Sequence, residues 1–597
     1  MLQQLAEYAD AHLTASEPGF KSREVLWSAE LAADGRFLNI LPLGDGKRGR
    51  DLNRCPDMHG MNAGGRAHFL VESCQYVTLL IKGDEAPDDK TGKRHAYYVD
   101  LLRQAADTVT ALSSLADLMA DSERVAEVRA ALREHKAKPT DWMTWRIGGQ
   151  DPRDDLEVQR WWRDWRQADL GGTTPELQLD LGDKLAPEGT MLCLLSGNTV
   201  RPLATHPKIT GLSSVGGIAM GDVMVGFDKP SFASYGLSQS NNAAIGEQAA
   251  QRYADGLNDL IHKHSRKLAN TLVVHWYQKT IGPDEDLIAL LMGMENKEQA
   301  EAAALAAVRR LLDAIRSGER ADLGNNHYYA LTLAGAAGRV MIRDWMEGRF
   351  EDLAEQISAW FSDLAIVARD GRAIAHDPKF LAVCGALVRD LKDLPAPTAA
   401  TLWRVAVQGL PIPRSVMAQA LGRFRTEVID KDQPPINHAR MGLIRAYFVR
   451  LTTGGDPTMT PYLNVDHPAP AYHCGRLLAV FANLQRAALG DVGAGVVQRF
   501  YSAASQTPGL VLGRLSANAR NHLGKLEVKL AWWYESQLAE IMGRLGDGAP
   551  RILDLEGQGL FALGYYQQLA ALRPGKKDTT TDAPNETSRD SAQGDDQ

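Results

Sequence analysis

The sequence predicts an α+β fold, with a mixed α/β N-terminal half followed by a mainly α-helical C-terminal bundle. Three observations predict it. Up to about residue 283, short alternating apolar runs, the mark of half-buried strands, are interspersed with helical stretches. From about residue 284, long runs with apolar residues three and four apart dominate, separated by Gly/Pro breaks at 318–324, 392–397, 410–413, 453–461 and 487–495. At 597 residues the chain is also too long for one core. The expected division is a mixed α/β region over 1–283, a helical region over 284–440 and a C-terminal helical bundle over 441–570. The tail over 571–597 soon loses apolar periodicity and is expected to be disordered.

Taken in order, Glu24 to Leu43 reads as a hairpin: an alternating run around Val25, Trp27 and Leu31, a turn at Asp34-Gly35, then Phe37 to Leu41. Residues 44–66 read as a glycine-rich basic loop, and the YVTLLIK run ending at Lys82 reads as a strand. His95 to Lys138 is helical by period, TDWMTWRIGG is a further strand, and 153–170 is a helix bearing Trp161, Trp162 and Trp165. From His206 to Ile261 a Ser/Gly-rich loop leads to a strand at Val223, Val225 and Phe227, a polar turn, and a long helix. Ile245, Ala249, Tyr253, Leu257 and Ile261 give that helix one apolar stripe, with Asn241, Asn242 and Gly246 as N-cap candidates.

Composition narrows the class. The 44% hydrophobic and 23% charged fractions are ordinary for a globular protein, and no run of eighteen apolar residues exists to span a membrane. The N-terminus does not read as a secretion signal. Five scattered cysteines without a C-x-x-C pair argue against a zinc site and a disulfide framework, and suit a reducing cytoplasm. The net charge of −8 opposes a free-standing nucleic-acid coat. Yet residues 401–570 carry 17 Lys and Arg against 12 Asp and Glu, a balance of +5. An acidic average with a basic region suits a subunit that touches nucleic acid on one face and proteins on others.

The densest chemistry lies in 206–242. Lys208, Ser213, Ser214, Gly216 and Gly217 combine a cation, small hydroxyls and residues that permit close backbone approach, and Gln239, Asn241 and Asn242 add amides able to hydrogen-bond base edges. The same residues also fit a buttressed loop that caps a helix. Lys47, Arg48, Arg50, Arg54 and Arg66 form a second cluster, suited to phosphate contact or to a solvated loop. Along the helical half, Arg476, Arg520 and Lys525 stand among cations that could track a nucleic-acid backbone. The three tryptophans at helical spacing read as core or subunit interface rather than as a base-stacking platform.

Catalytic patterns are thin. There is no P-loop and no nucleophile elbow; His376-Asp377 is a bare pair, and Glu527-Val528-Lys529 is a triplet common by chance. No metal site and no cofactor are read. The chain is read as a non-catalytic binding subunit; the alternatives are a metal-dependent nuclease built on those groups and a purely architectural subunit without base readout.

Motif order points further. His206-Pro207-Lys208-Ile209-Thr210-Gly211, Val225-Gly226-Phe227, Ser234-Tyr235-Gly236-Leu237-Ser238-Gln239, Asn242-Ala243 and Gly256-Leu257-Asn258 follow, over about fifty residues, the pattern of the Csd-type family, and the chain resembles that family's CRISPR-associated large subunit of type I-C Cascade. PDMHGMNAGGRAHFLVESCQYV resembles another family stretch, with Glu72-Ser73 in place of its Asp-Asn pair. Thr271 to Trp276 resembles a family strand. ALTLAGAAGRVMIRDWMEG resembles a family helix and matches it at Arg339, Arg343 and Trp345. The resemblance implies a cytoplasmic prokaryotic subunit that recognises the protospacer-adjacent motif in target double-stranded DNA, assists unwinding and R-loop stabilisation, and recruits a separate helicase-nuclease. It implies as partners the guide RNA, the backbone and repeat-processing subunits, and a helical small subunit that can arise from an internal start, here Met459 with Met441 as the alternative.

Overall fold

The computed structural model describes residues 1–14, 17–44, 48–58, 65–83, 86–172, 189–293, 304–429, 436–452, 455–490, 492, 494–546 and 548–572. Lys47 and the tail beyond 572 lie outside the described residues. The fold is α+β, with strands concentrated in the N-terminal half and helices in the C-terminal half. The chain forms two compact units: 1–266 with 333–345, and 267–332 with 346–597.

The first unit opens with α1 (Leu2–His12), β1 (Phe20–Val25), β2 (Trp27–Leu31), β3 (Phe37–Pro42) and β4 (Arg50–Pro56). The expected hairpin is present: β2 and β3 pair antiparallel, Ser28 opposite Leu41, and the turn contains Gly35 at φ +85°. The expected loop over 44–66 is in part a strand. β4 pairs with β1, Val25 opposite Arg50, and a register shift near Arg23 goes with Arg54 at φ +55°.

β5 (Glu72–Ser73) leads straight into α2 (Cys74–Thr78), so the expected YVTLLIK strand is instead helical at its start. Cys74, Val77 and Thr78 are all buried, at helical rather than alternating spacing. A short apolar run does not distinguish a buried strand from a buried helix. Helices α3 (Asp89–Ala106), α4 (Ser113–Ala120) and α5 (Ser122–Glu134) precede β6 (Trp142–Ile147), which pairs parallel with β2 and antiparallel with β5.

α6 (Leu156–Gly172) carries the tryptophans. Trp162 is fully buried, stacks on Phe69 and donates to the Gly19 carbonyl at 2.7 Å. β7 (Met191–Leu192) and β8 (Thr199–Val200) pair with each other. β9 (Lys208–Ile209) and β10 (Asp222–Val223) follow, then α7 (Glu247–Lys263), whose Tyr253, Leu257 and Ile261 are buried as the stripe predicts. The expected strand through Phe227 stops at Val223. Gly246, not an asparagine, occupies the N-cap.

β11 (Ser265–Leu268) and β12 (Thr271–Tyr277) lead into the second unit. α8 (Leu287–Met292), α9 (Ala304–Arg316) and α10 (Ala321–Gly324) follow. The stretch read as a helix around Arg339 is instead a hairpin of β13 (His327–Ala336) and β14 (Arg339–Arg349). Its turn places Ala337 at φ +49° and Gly338 at φ +87°, the paired left-handed conformation that reverses a hairpin in two residues. Residues 333–345 of this hairpin belong to the first unit.

The rest of the second unit is helical: α11 (Phe350–Leu364), α12 (Phe380–Gly385), α13 (Ala396–Gln408), α14 (Arg414–Val428), α15 (His438–Val449), α16 (Pro470–Leu489), α17 (Val496–Ala504), α18 (Pro508–Leu523), α19 (Val528–Gly543) and α20 (Leu555–Ala571). One apolar core runs from Leu268 to Leu572 and includes Met459. Arg445 donates from Nε to the Met459 carbonyl at 2.8 Å. α16 and α20 pack through glycines. A Cβ on Gly475 would collide with the Phe561 carbonyl, and one on Gly564 with the Tyr472 carbonyl. Backbone therefore lies directly on backbone at both places.

Candidate nucleic-acid interface

The 206–217 segment is fixed from below by α7. His206 and Pro207 are buried, and the His206 Nδ1 is hydrogen-bonded to the Tyr253 hydroxyl at 2.7 Å. The Asn258 side chain accepts from the Thr210 N–H at 2.8 Å and donates to the Lys208 carbonyl at 3.2 Å. β9 pairs antiparallel with β10, Lys208 opposite Val223. Backbone groups are thereby satisfied inward, and the Lys208, Ser213 and Ser214 side chains stand exposed.

The two glycines have an internal reason. Gly216 adopts φ +93°, and a Cβ there would lie 2.7 Å from the Gly335 carbonyl oxygen. A Cβ on Gly335 would in turn collide with the backbone of Gly217. The expected close backbone approach is therefore made to the chain's own hairpin. Gly216 and Gly217 position the loop, and Lys208, Ser213 and Ser214 beside them are exposed.

The polar turn divides in the same way. Gln239 is exposed, at φ +49°. Asn242 is half-buried and donates to the Gln239 carbonyl at 3.0 Å. Asn241 is 9% exposed, which takes it off the surface on which the sequence placed it. A cavity of about 520 Å³ opens here, lined by His206, Phe227, Asp228, Gln239, Arg339 and Met341 among others. Arg339 is ion-paired with Asp228.

The hairpin brings residues to this face that a helical reading would have scattered. Arg343 is exposed on β14 and Lys229 on the facing loop. The signal in the sequence was Ala337-Gly338 between two apolar runs, a two-residue turn. Nearby in sequence, two large apolar side chains are exposed: Met220 at 74% and Tyr235 at 94%.

The second basic cluster is more dispersed. Arg48, Arg50 and Arg54 are exposed, Arg50 and Arg54 on β4. Arg66 is half-buried, its guanidinium 5.9 Å from the centre of the Tyr97 ring. In the helical half, Arg520 and Lys525 are exposed at the end of α18 and just past it. Arg476 is not: it is 1% exposed, with its Nε donating to Gln568 at 2.9 Å and an Nη to Glu540 at 2.7 Å. Its charge is committed inside the protein, which removes it from the phosphate-binding set.

Of the two groups weighed as catalytic, His376-Asp377 has structural partners. The Asp377 carboxylate accepts from the Leu305 N–H at 3.1 Å, in the first turn of α9, and burial raises its pKa above the usual carboxylate value. The His376 ring packs edge-on against His438 at 4.3 Å. Glu527 is the N-cap residue of α19. Among the described residues, no helix is long and apolar enough to cross a membrane.

The family model of the CRISPR-associated protein (Cas_Csd1) matches residues 2–573. No curated protein matches the chain. The match covers nearly the whole length, including the segment that carries the 206–258 motifs and the hairpin docked on it, and the chain belongs to the Csd1 family of CRISPR-associated proteins.

Proposed function

We propose that the chain is the large subunit of a type I-C RNA-guided surveillance complex, Cascade, and that it reads the protospacer-adjacent motif in double-stranded DNA. The observation that carries this reading is the exposed basic face built on 206–217. Lys208, Ser213 and Ser214 are presented outward by a loop whose own backbone is anchored on Asn258 and Gly335. Cations there hold phosphates, while the hydroxyls and the exposed Gln239 meet base edges. Guide RNA pairing then reads the remaining target.

In this reading the chain is non-catalytic. It acts in the prokaryotic cytoplasm with the guide RNA, the backbone and repeat-processing subunits and a helical small subunit. Arg48, Arg50, Arg54 and Arg66 contact phosphates, with Lys47 beside them in sequence, and Arg520 and Lys525 stabilise the R-loop. Cleavage belongs to a helicase-nuclease recruited once the target is open.

The test is binding of the assembled complex to a motif-bearing duplex and to a pre-opened target. Lys208→Ala with Ser213→Ala and Ser214→Ala is expected to weaken duplex binding by about 1–3 kcal/mol for each base that the loop holds, with little change on the open target. Equal losses on both substrates would remove base readout from this loop.

A further inference from the structure

We propose that the cavity at the start of α7 binds a small phosphate-bearing molecule of nucleotide size, with its phosphate on the first-turn N–H groups of α7 and on Arg252. The site lies wholly within the first unit and does not depend on motif reading.

The cavity measures about 1250 Å³ and is walled by α1, α6, the β7–β8 hairpin and the first turn of α7. Gly246 is the N-cap of α7, so no side chain accepts from the N–H groups that follow. Those groups have no partner within the helix and together carry about half a positive charge. Gly246, Glu247, Gln248 and Ala249 all line the cavity. Independently, Arg252 lines the same cavity one turn on. It is 6% exposed, and its Nε donates to Asp10 at 2.6 Å. Its Nη1 finds no acceptor among the described residues. A buried guanidinium N–H without an acceptor is costly, and an oxyanion supplies the missing one.

Cys193, which lines the cavity from the β7–β8 hairpin, reports the same field. Burial acts to raise its pKa, yet hydrogen bonds from Ser196, Gly246 and Leu195 outweigh burial and hold the thiol below its ordinary value. At Cys55, Cys74, Cys384 and Cys474 burial prevails and the value is raised. The surroundings of Cys193 at the N-cap of α7 therefore favour negative charge.

Two of the lining carboxylates are already neutralised: Asp10 by Arg252, and Glu247 by Arg166, whose Nη1 donates at 2.7 Å. Arg201 adds an exposed cation. Glu7 and Asp164 remain, exposed on α1 and α6. They oppose a nucleic-acid strand, which would carry further phosphates past them. They suit hydroxyls, which donate to carboxylates as a ribose does. The volume far exceeds a bare phosphate and has room for a nucleotide-sized body. One phosphate on a hydroxylated body meets all of these conditions.

The experiment titrates the purified full-length chain with AMP, CMP, adenosine and inorganic phosphate by calorimetry, and follows hydrogen exchange across 246–252. A nucleotide is expected to bind saturably and to slow exchange in the first turn of α7. Adenosine lacks the phosphate and should bind at least about tenfold more weakly than AMP, the loss of one charge-assisted contact. Arg252→Lys keeps a cation for Asp10 but loses Nη1, and should weaken nucleotide binding by a similar factor. Arg201→Ala removes an exposed side chain, so it should melt with the wild type and still weaken binding; it decides the matter where Arg252→Lys fails to fold. No saturable binding of either nucleotide up to millimolar concentration overturns the site. Adenosine binding as tightly as AMP, protection confined to segments away from α7, or unchanged nucleotide affinity in the variants overturns it as well. Inorganic phosphate binding as tightly as AMP would leave an adventitious ion only, and overturns the nucleotide-sized ligand.

Discussion

His467 shows how burial sets chemistry at one residue. Its ring is 4% exposed, stacks on Tyr472 at 4.4 Å, and accepts at Nδ1 from the Ala469 N–H at 3.1 Å. Desolvation first, and the nearby His473 second, lower its pKa to about 4. The unfolded chain takes up a proton near pH 6.5, so His467 is neutral in both states above that value and costs nothing. As the pH falls from 6.5 towards 4 the unfolded state binds the proton first and stability is lost, by at most about 3 kcal/mol before solvent screening. The melting temperature is expected to fall over that window, and His467→Gln to flatten part of the fall; parallel curves for both proteins would exclude the assignment. Legibility in the sequence follows the same line. Lys208, Ser213, Ser214, Gln239, Arg520 and Lys525 are candidates by residue type and are exposed. Arg476 carries the same charge as Arg520, but its burial against Glu540 and Gln568 depends on helices more than sixty residues away in sequence.

At the scale of elements, periodicity identified what is long. The helices α3, α7 and the C-terminal series, the β2–β3 hairpin and β6 are present where alternation or helical spacing placed them, and β12 where the family resemblance placed a strand. It failed where a run was short or buried on both sides. β13 is buried along most of its length, so it shows no alternation, and only its turn distinguishes it from a helix. That hairpin is also what the loop proposed to read the motif leans on. Gly335→Val would drive a side chain into the Gly217 backbone and push the 212–217 loop off its seat. The preference of the assembled complex for motif-bearing duplex is expected to fall about tenfold, the discrimination that one well-placed hydrogen-bonding side chain gives at a base edge, while helical content by circular dichroism stays unchanged. A variant that still discriminates at the wild-type level would show that the loop reads nothing.

At the scale of the molecule, the proposed C-terminal product starting at Met459 would be cut from a core it shares. Phe424 of α14 packs edge-on against Tyr501 at 5.4 Å, and Gly559 of α20 faces Met417 and Phe448. Tyr566 donates to the Val367 carbonyl at 2.8 Å. Residues 459–597 alone are therefore expected to be helical, because α16 to α20 are all retained, yet to melt below the full chain and to bind a hydrophobic dye on the bared face. A fragment as stable as the full chain, with no dye binding, would mean that this face matters little. The glycine seam between α16 and α20 carries a consequence of its own. Sliding either helix by one residue would put a Cβ over a carbonyl, so the pair has a single admissible register and behaves as one rod. Any displacement of this bundle on target binding then moves α16 and α20 together, and adjustment has to be taken up in the loops at their ends.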